Sequence, residues 1–193
     1  MKPYRTGDHE TGLREFARRA GKHIGVGSSI LEIGSFVGDS TRIFIEEMQP
    51  RAVVCVDPWD EQMPGYTVES GNIRQAFASN VAATADRYGC RIVPLQMRSG
   101  EYYRGSVAET PVFGLVYIDA VHTREAVAAD ILGVIGALGR GGILAGHDYC
   151  PRRFMGVVEA VDQALRHFAA RFSHLELYRD TSWALMPRET GDA

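Results

Sequence analysis

The chain alternates between two hydrophobic rhythms. Leu13, Phe16, Ala17 and Ala20 recur at helical spacing between Arg and Glu, which predicts an amphipathic helix over residues 8–23. Ser29-Ile30-Leu31-Glu32-Ile33-Gly34 then runs almost continuously apolar into a glycine, the pattern of a short buried strand. A helix is predicted over 40–48, with Asp39 as its N-cap and Pro50 as its stop, and a second apolar strand over 52–57, closed by Pro58. Residues 59–71 mix Pro64, Gly65 and polar side chains and read as a surface excursion. Over 72–88 a helical pattern returns, with Ile73, Ala76, Phe77, Val81 and Ala85 on one face. Further strands are predicted over 91–96, 112–119 and 142–146, the first at an edge because of Pro94. Helices over 123–138 and 156–172 flank the last of these, and strands over 175–178 and 183–186 form a terminal hairpin.

Strand and helix therefore alternate five times before the hairpin, which predicts an α/β fold with a parallel sheet covered on both faces. Ligands of such sheets lie at the carboxyl ends of the strands, and Asp57, Asp119 and Asp148 all fall at or beside predicted strand ends. The length of 193 residues suits one domain, residues 1–193, with 1–25 as an N-terminal helical extension. A chain of this size buries about 70% of its unfolded surface, so its core needs no staple. Cys55, Cys90 and Cys150 are too few for a disulfide framework, which fits a reducing compartment. A polar start and the absence of an apolar run of about 18 residues predict a cytoplasmic protein without a membrane partner. With 21 basic against 24 acidic side chains the chain lacks the field that holds nucleic acid.

Glycine, at 21 residues, marks where the chemistry lies. In Glu32-Ile33-Gly34-Ser35-Phe36-Val37-Gly38-Asp39-Ser40-Thr41 the glycines are four apart, and Phe36 and Asp39 stand where a nicotinamide fingerprint needs its second and third glycine. Helix-terminal amides and the Ser40 hydroxyl suit a smaller anion such as a carboxylate. Asp57 follows Gly34 by 23 positions, where a carboxylate can accept the ribose hydroxyls of an adenosine.

These residues resemble the first motif and acidic ribose binder of the class I S-adenosylmethionine-dependent methyltransferases. Asp57-Pro58-Trp59, Ile118-Asp119-Ala120-Val121-His122 and Gly146-His147-Asp148-Tyr149 are similar to the small O-methyltransferase branch, which includes catechol O-methyltransferase-like enzymes and antibiotic sugar O-methyltransferases. The resemblance implies a Rossmann-like, doubly wound seven-stranded sheet, mostly parallel with a C-terminal antiparallel hairpin. It also implies that Glu32, Gly34, Ser35, Phe36, Gly38 and Ser40 shape the methionine pocket, with Ser40 on the carboxylate and Glu32 orienting the loop. By the same resemblance Asp57 holds the ribose, Pro58 belongs to the cofactor site beside it, Trp59 covers the adenine, and Arg98 and Ser99 read the adenine amine.

Asp119, His147 and Asp148 occupy the places of the branch's metal ligands, which implies a divalent metal, Mg or Mn. His147 departs from an all-oxygen set, and imidazole suits softer ions than Mg²⁺; a hydrogen-bonding role in the loop is its other reading. His122 stands in the relative place of a catalytic lysine and is the candidate base beside Asp119, taking the proton of a small-molecule hydroxyl acceptor. A second copy of the chain is a candidate partner. Three other readings stay open: a non-catalytic cofactor-binding protein, a nicotinamide-dependent oxidoreductase, and a methyltransferase for another acceptor class.

Overall fold

The computed structural model describes residues 7–60, 73–105 and 112–188. Most of the 59–71 excursion, Asn72 at the start of its following helix, and Lys2 to Thr6 lie outside them. The elements run α1 (Gly7–Ile24), β1 (Ser29–Ile33), α2 (Asp39–Met48), β2 (Ala52–Asp57), α3 (Ile73–Tyr88), β3 (Arg91–Gln96), α4 (Ser99–Gly105), β4 (Phe113–Ile118), α5 (Arg124–Val134), β5 (Leu138–Gly146), α6 (Met155–His167), β6 (Phe172–Leu177) and β7 (Trp183–Pro187).

Seven strands form one sheet in the order β3-β2-β1-β4-β5-β7-β6. The first five are parallel, and β7 inserts antiparallel between β5 and β6. Pro94 sits in the edge strand β3, where its missing N–H faces no neighbour. The chain reverses direction of growth between β1 and β4, the switch point at which an open α/β sheet offers a crevice.

Successive residues of a buried strand face opposite layers. Ile30 joins Leu13, Phe16, Phe44, Val53, Phe77, Leu115 and Tyr117 under α1, α2 and α3. Leu31 joins Val116, Val127, Ile131, Leu144, Val161 and Trp183 under α5 and α6. Both faces are thus apolar, which explains why the central strands read as unbroken hydrophobic runs.

Four sequence expectations are corrected. The N-cap of α2 is Gly38 at φ +83°, and Asp39 is the first helical residue, accepting from Asn80 Nδ2 at 2.9 Å. The helix predicted over 123–138 ends at Val134, and β5 begins at Leu138 rather than Gly142. Apolar Ile135, Ala137 and Leu138 extend the helical pattern, but Arg171 gathers the carbonyls of Ile135, Leu138 and Gly139 and holds that segment as a turn. The helix predicted to Phe172 stops at His167, and Phe172 opens β6 with its side chain buried. Residues 99–105, unassigned from the sequence, form α4.

Candidate functional site

The turn after β1 is built around a buried carboxylate. Glu32 points to the α2 side of the sheet and accepts from Ser35 Oγ at 2.9 Å, from Ser40 Oγ at 2.5 Å and from Thr41. Burial pushes its carboxyl up, and the Ser40, Thr41 and Ser35 hydroxyls favour the charged form against that penalty. Gly34 follows at φ +89°, with its N–H on Val56 O. A Cβ there would lie 2.1 Å from Asp119 O, so only glycine lets the ends of β1 and β4 meet.

A cavity of about 420 Å³ opens at those strand ends. Gly34, Phe36, Asp57, Pro58, Trp59, Arg98, Ser99 and Asp119 line it, eight of the residues expected to bind a cofactor. Glu32, Ser35, Gly38 and Ser40 do not. The first two and Ser40 are committed to one another behind the wall, and a Cβ on Gly38 would meet Val81 and Phe77 of α3. Ser40 as a partner of the methionine carboxylate is thereby corrected: its hydroxyl serves Glu32.

Asp57 joins the two loops that flank the cavity. Its Oδ2 accepts from Phe36 N at 2.9 Å and its Oδ1 from Trp59 N at 2.6 Å. Each carboxylate oxygen keeps a further lone pair for a ligand hydroxyl. Burial raises its carboxyl, and the backbone N–H groups of Phe36, Trp59 and Ser35 oppose that rise. The Trp59 indole returns a bond to Phe36 O at 2.7 Å and packs on Phe77 with ring centres 5.0 Å apart. Phe36 and Trp59 are both left-handed, at φ +44°, a strained backbone held in place by this double tie.

The far wall is α4, which sequence reasoning missed, along with Gly100, Glu101 and Arg104 in the cavity lining. Its one sequence signal is half of a capping box: Glu101 reaches back to Arg98 N at 2.9 Å, but position 98 is Arg instead of Ser or Thr. Arg98 pairs with Asp60 at 3.7 Å across the cavity mouth. Beneath, the buried Asp130 of α5 accepts from Tyr103 Oη at 3.0 Å. Burial raises the Asp130 carboxyl, and the nearby Ser99 and Tyr103 hydroxyls counter it.

Next to the cavity, Asp119, His122 and Asp148 bring one oxygen or nitrogen each within 4.8 Å of one another. His122 Nε2 is 2.9 Å from Asp148 Oδ2 and 3.7 Å from Asp119 Oδ1, and its ring packs at a tilt against Phe154, with ring centres 4.6 Å apart. Thr123, not Asp119, caps α5, which leaves the Asp119 carboxylate to this cluster. Asp119 and Asp148 push the His122 imidazole up to about 9. Although burial opposes it, His122 and His147 hold Asp148 well below the usual carboxylate range.

One expectation changes here. His147 turns away from the cluster, with Nδ1 at 3.2 Å from Asp148 Oδ1 and Nε2 at 3.7 Å from the buried Asp180, so His122 supplies the nitrogen. Two carboxylates and one imidazole are a donor set that fits a divalent ion, Mn²⁺ better than Mg²⁺.

A family profile described as a methyltransferase domain, methyltransferase family 24, matches residues 31–149, more than half of the chain and all of the cavity's strand ends. The chain belongs to that family. The membership excludes the oxidoreductase reading for this methyltransferase. No curated protein sequence gives a significant match. Among solved structures, the methyltransferase is similar to the apo form of a TDP-rhamnose 3'-O-methyltransferase of calicheamicin biosynthesis, with TM-score 0.69 and 19% identity over 94% of this chain and 80% of that one. An O-methyltransferase from Bacillus cereus in complex with SAH gives 0.63 and 15% over 96% and 84%. The O-methyltransferase TomG from Streptomyces achromogenes, of tomaymycin synthesis and in complex with SAM, gives 0.58 and 16% over 96% and 82%. These likenesses establish a shared fold. Among the described residues, no helix is long and apolar enough to cross a membrane.

Proposed function

We propose that this methyltransferase moves the methyl group of S-adenosylmethionine to a hydroxyl of a small molecule, assisted by a divalent cation at Asp119, His122 and Asp148. One observation carries the reading: Asp119 belongs at once to the cavity that holds Asp57 and to the carboxylate–imidazole cluster. A ligand running from Asp57 to Asp119 would present its reacting end to that cluster. The fold relatives named above that act on a sugar hydroxyl, or bind SAM or SAH, support the choice of donor and of oxygen as acceptor.

When bound, S-adenosylmethionine supplies a methyl on a sulfonium, and the cation supplies Lewis-acid stabilisation of the acceptor oxygen. The chain's own part is positional. Asp57 offers its remaining lone pairs to the ribose hydroxyls, and Trp59, backed by Phe77, closes an apolar wall. In that transfer the acceptor's oxygen–carbon bond would form as the sulfur–carbon bond breaks, with S-adenosylhomocysteine leaving as the neutral thioether and the hydroxyl proton passing to water. Holding the reacting atoms in line contributes much of the acceleration. His122 would enter the cation site as a neutral imidazole with its Nε2 lone pair on the ion, which leaves activation of the acceptor hydroxyl to the cation.

Calorimetric titration with S-adenosylhomocysteine tests the donor site. Wild type is expected to bind and Asp57→Ala to lose binding; a silent wild type ends the cofactor reading. For the cation, chelation is expected to abolish methyl transfer and Mg²⁺ or Mn²⁺ to restore it. Activity indifferent to chelator removes the cation from the proposal and leaves the donor site standing.

A further inference from the structure

The turn between β6 and β7 reads Tyr178-Arg179-Asp180-Thr181-Ser182, a polar stretch in which an Asp ordinarily bonds its own backbone at the surface. Asp180 does accept from Ser182 N, at 3.2 Å, and yet it is 2% exposed. Helix α1 seals it in, since a Cβ on Gly12 would lie 2.6 Å from Asp180 N. A carboxylate taken out of water needs compensation. The Ser182 hydroxyl, itself 3.0 Å from Tyr117 Oη, donates to Asp180 Oδ2 at 2.8 Å, and the same Oδ2 lies 3.7 Å from Nε2 of the buried His147. Two bonds fasten this turn to the segment that carries His147: Tyr149 N donates to Thr181 O at 2.9 Å, and Trp183 Nε1 to His147 O at 3.1 Å. Thr181, at φ +72°, and Asp148, at φ +62°, are both left-handed, which a β-branched Thr rarely adopts. Backbone strain is thus held on either side of the His147–Asp180 pair.

The other edge of the His147 ring faces the cluster. Its Nδ1 is 3.2 Å from Asp148 Oδ1, and Asp148 Oδ2 is the oxygen that lies 2.9 Å from His122 Nε2. An imidazole is rigid, so a carboxylate that draws the Nε2 edge also fixes where Nδ1 points. Nδ1 then engages one oxygen of Asp148 and leaves the other turned to the cluster. Both side chains of the His147–Asp180 pair are buried, so solvent ions screen their attraction little. This inference rests on the cation reading proposed above. We infer that Asp180 is a positioning residue for the cation site: acting through His147, it holds the Asp148 carboxylate in the orientation that offers Oδ2 to the ion. Asp180 belongs neither to the cluster nor to the cavity lining.

The test titrates Mn²⁺, followed by the electron paramagnetic resonance of the free ion, and separately S-adenosylhomocysteine, into wild type, Asp180→Asn, His147→Ala and the double variant. Asp180→Asn keeps the shape of the side chain and removes its charge. It is expected to lower Mn²⁺ affinity by up to about tenfold, no more than His147→Ala does, and to leave S-adenosylhomocysteine binding as in wild type. In the His147→Ala background the same substitution should cost nothing further, because its route to Asp148 is gone. An equal Mn²⁺ loss with and without His147, or a parallel loss of both ligands, is the mark of a structural prop and overturns the proposal. If Asp180→Asn does not fold, Ser182→Ala, which releases the Oδ2 facing His147, decides by the same criteria. A wild type that binds no Mn²⁺ overturns the cation reading and this inference with it, whereas wild-type Mn²⁺ affinity in Asp180→Asn overturns this inference alone.

Discussion

At the scale of single residues, three hydroxyls converge on Glu32, and the turn they build holds Gly34 and Phe36 against the cavity. Glu32→Ala leaves Ser35, Ser40 and Thr41 buried without their acceptor. The expected cost is about 3 kcal/mol in urea unfolding, at the upper end for one lost buried polar partner. Ser40→Ala removes one donor only, at about 1 kcal/mol. Since Ser40 faces Glu32, the same variant should leave the S-adenosylhomocysteine Kd unchanged; a tenfold loss would return Ser40 to the ligand. The sequence made Glu32 and Gly34 legible because a carboxylate two residues before a glycine turn is a short-range pattern. Which way Ser40 points was not legible, since spacing puts its hydroxyl within reach of both a ligand and Glu32. Only its burial separates them.

Among the elements, those with strong periodicity were readable, and the ones missed were set by contacts from far along the chain. The five parallel strands are unbroken apolar runs because helices cover both faces. Helix α4 has seven residues and buries one, Tyr102, so it carries almost no periodic signal. The end of α5 depends on Arg171, 36 residues beyond Ile135. Helix α1 was readable, but its fastening was not: Arg19 clasps Glu176 of β6 across 157 positions. Arg19 holds the Glu176 carboxyl down to about 2, below its ordinary value near 4.3. A depressed folded pKa stabilises above the ordinary value and loses that contribution as pH falls toward the folded one. Thermal melts of wild type and Glu176→Gln should therefore differ at pH 7 and converge as pH drops from about 4.5 to about 2. Added salt should shrink the gap, because Arg19 is exposed to solvent. A gap that persists at pH 2 assigns the effect to packing instead.

Over the whole molecule, the switch point between β1 and β4 concentrates the chemistry, because the ends of β1, β4 and β5 converge there. Gly34 meets Asp119, and Gly146 lies so near Ile118 O that a Cβ would sit 2.3 Å away. Backbones this close let Asp119 border the cavity on one side and the His122–Asp148 cluster on the other. That sharing makes a prediction in two dimensions, with Mn²⁺ and S-adenosylhomocysteine titrated separately into the same variants. Asp119→Asn should weaken both, since it removes a cluster oxygen and alters the cavity wall. His122→Ala should lower Mn²⁺ affinity by about 100-fold and spare S-adenosylhomocysteine, because His122 is outside the cavity lining. His147→Ala removes only a neighbour of Asp148, so its Mn²⁺ loss should be about tenfold or less, as for a group that orients a ligand. The order His122 above His147 follows from where the strand ends point their side chains, which four-residue motifs do not encode. The reverse order would return His147 to the ligand set, and equal losses of both ligands in His122→Ala would mean that the two spaces are coupled through more than Asp119.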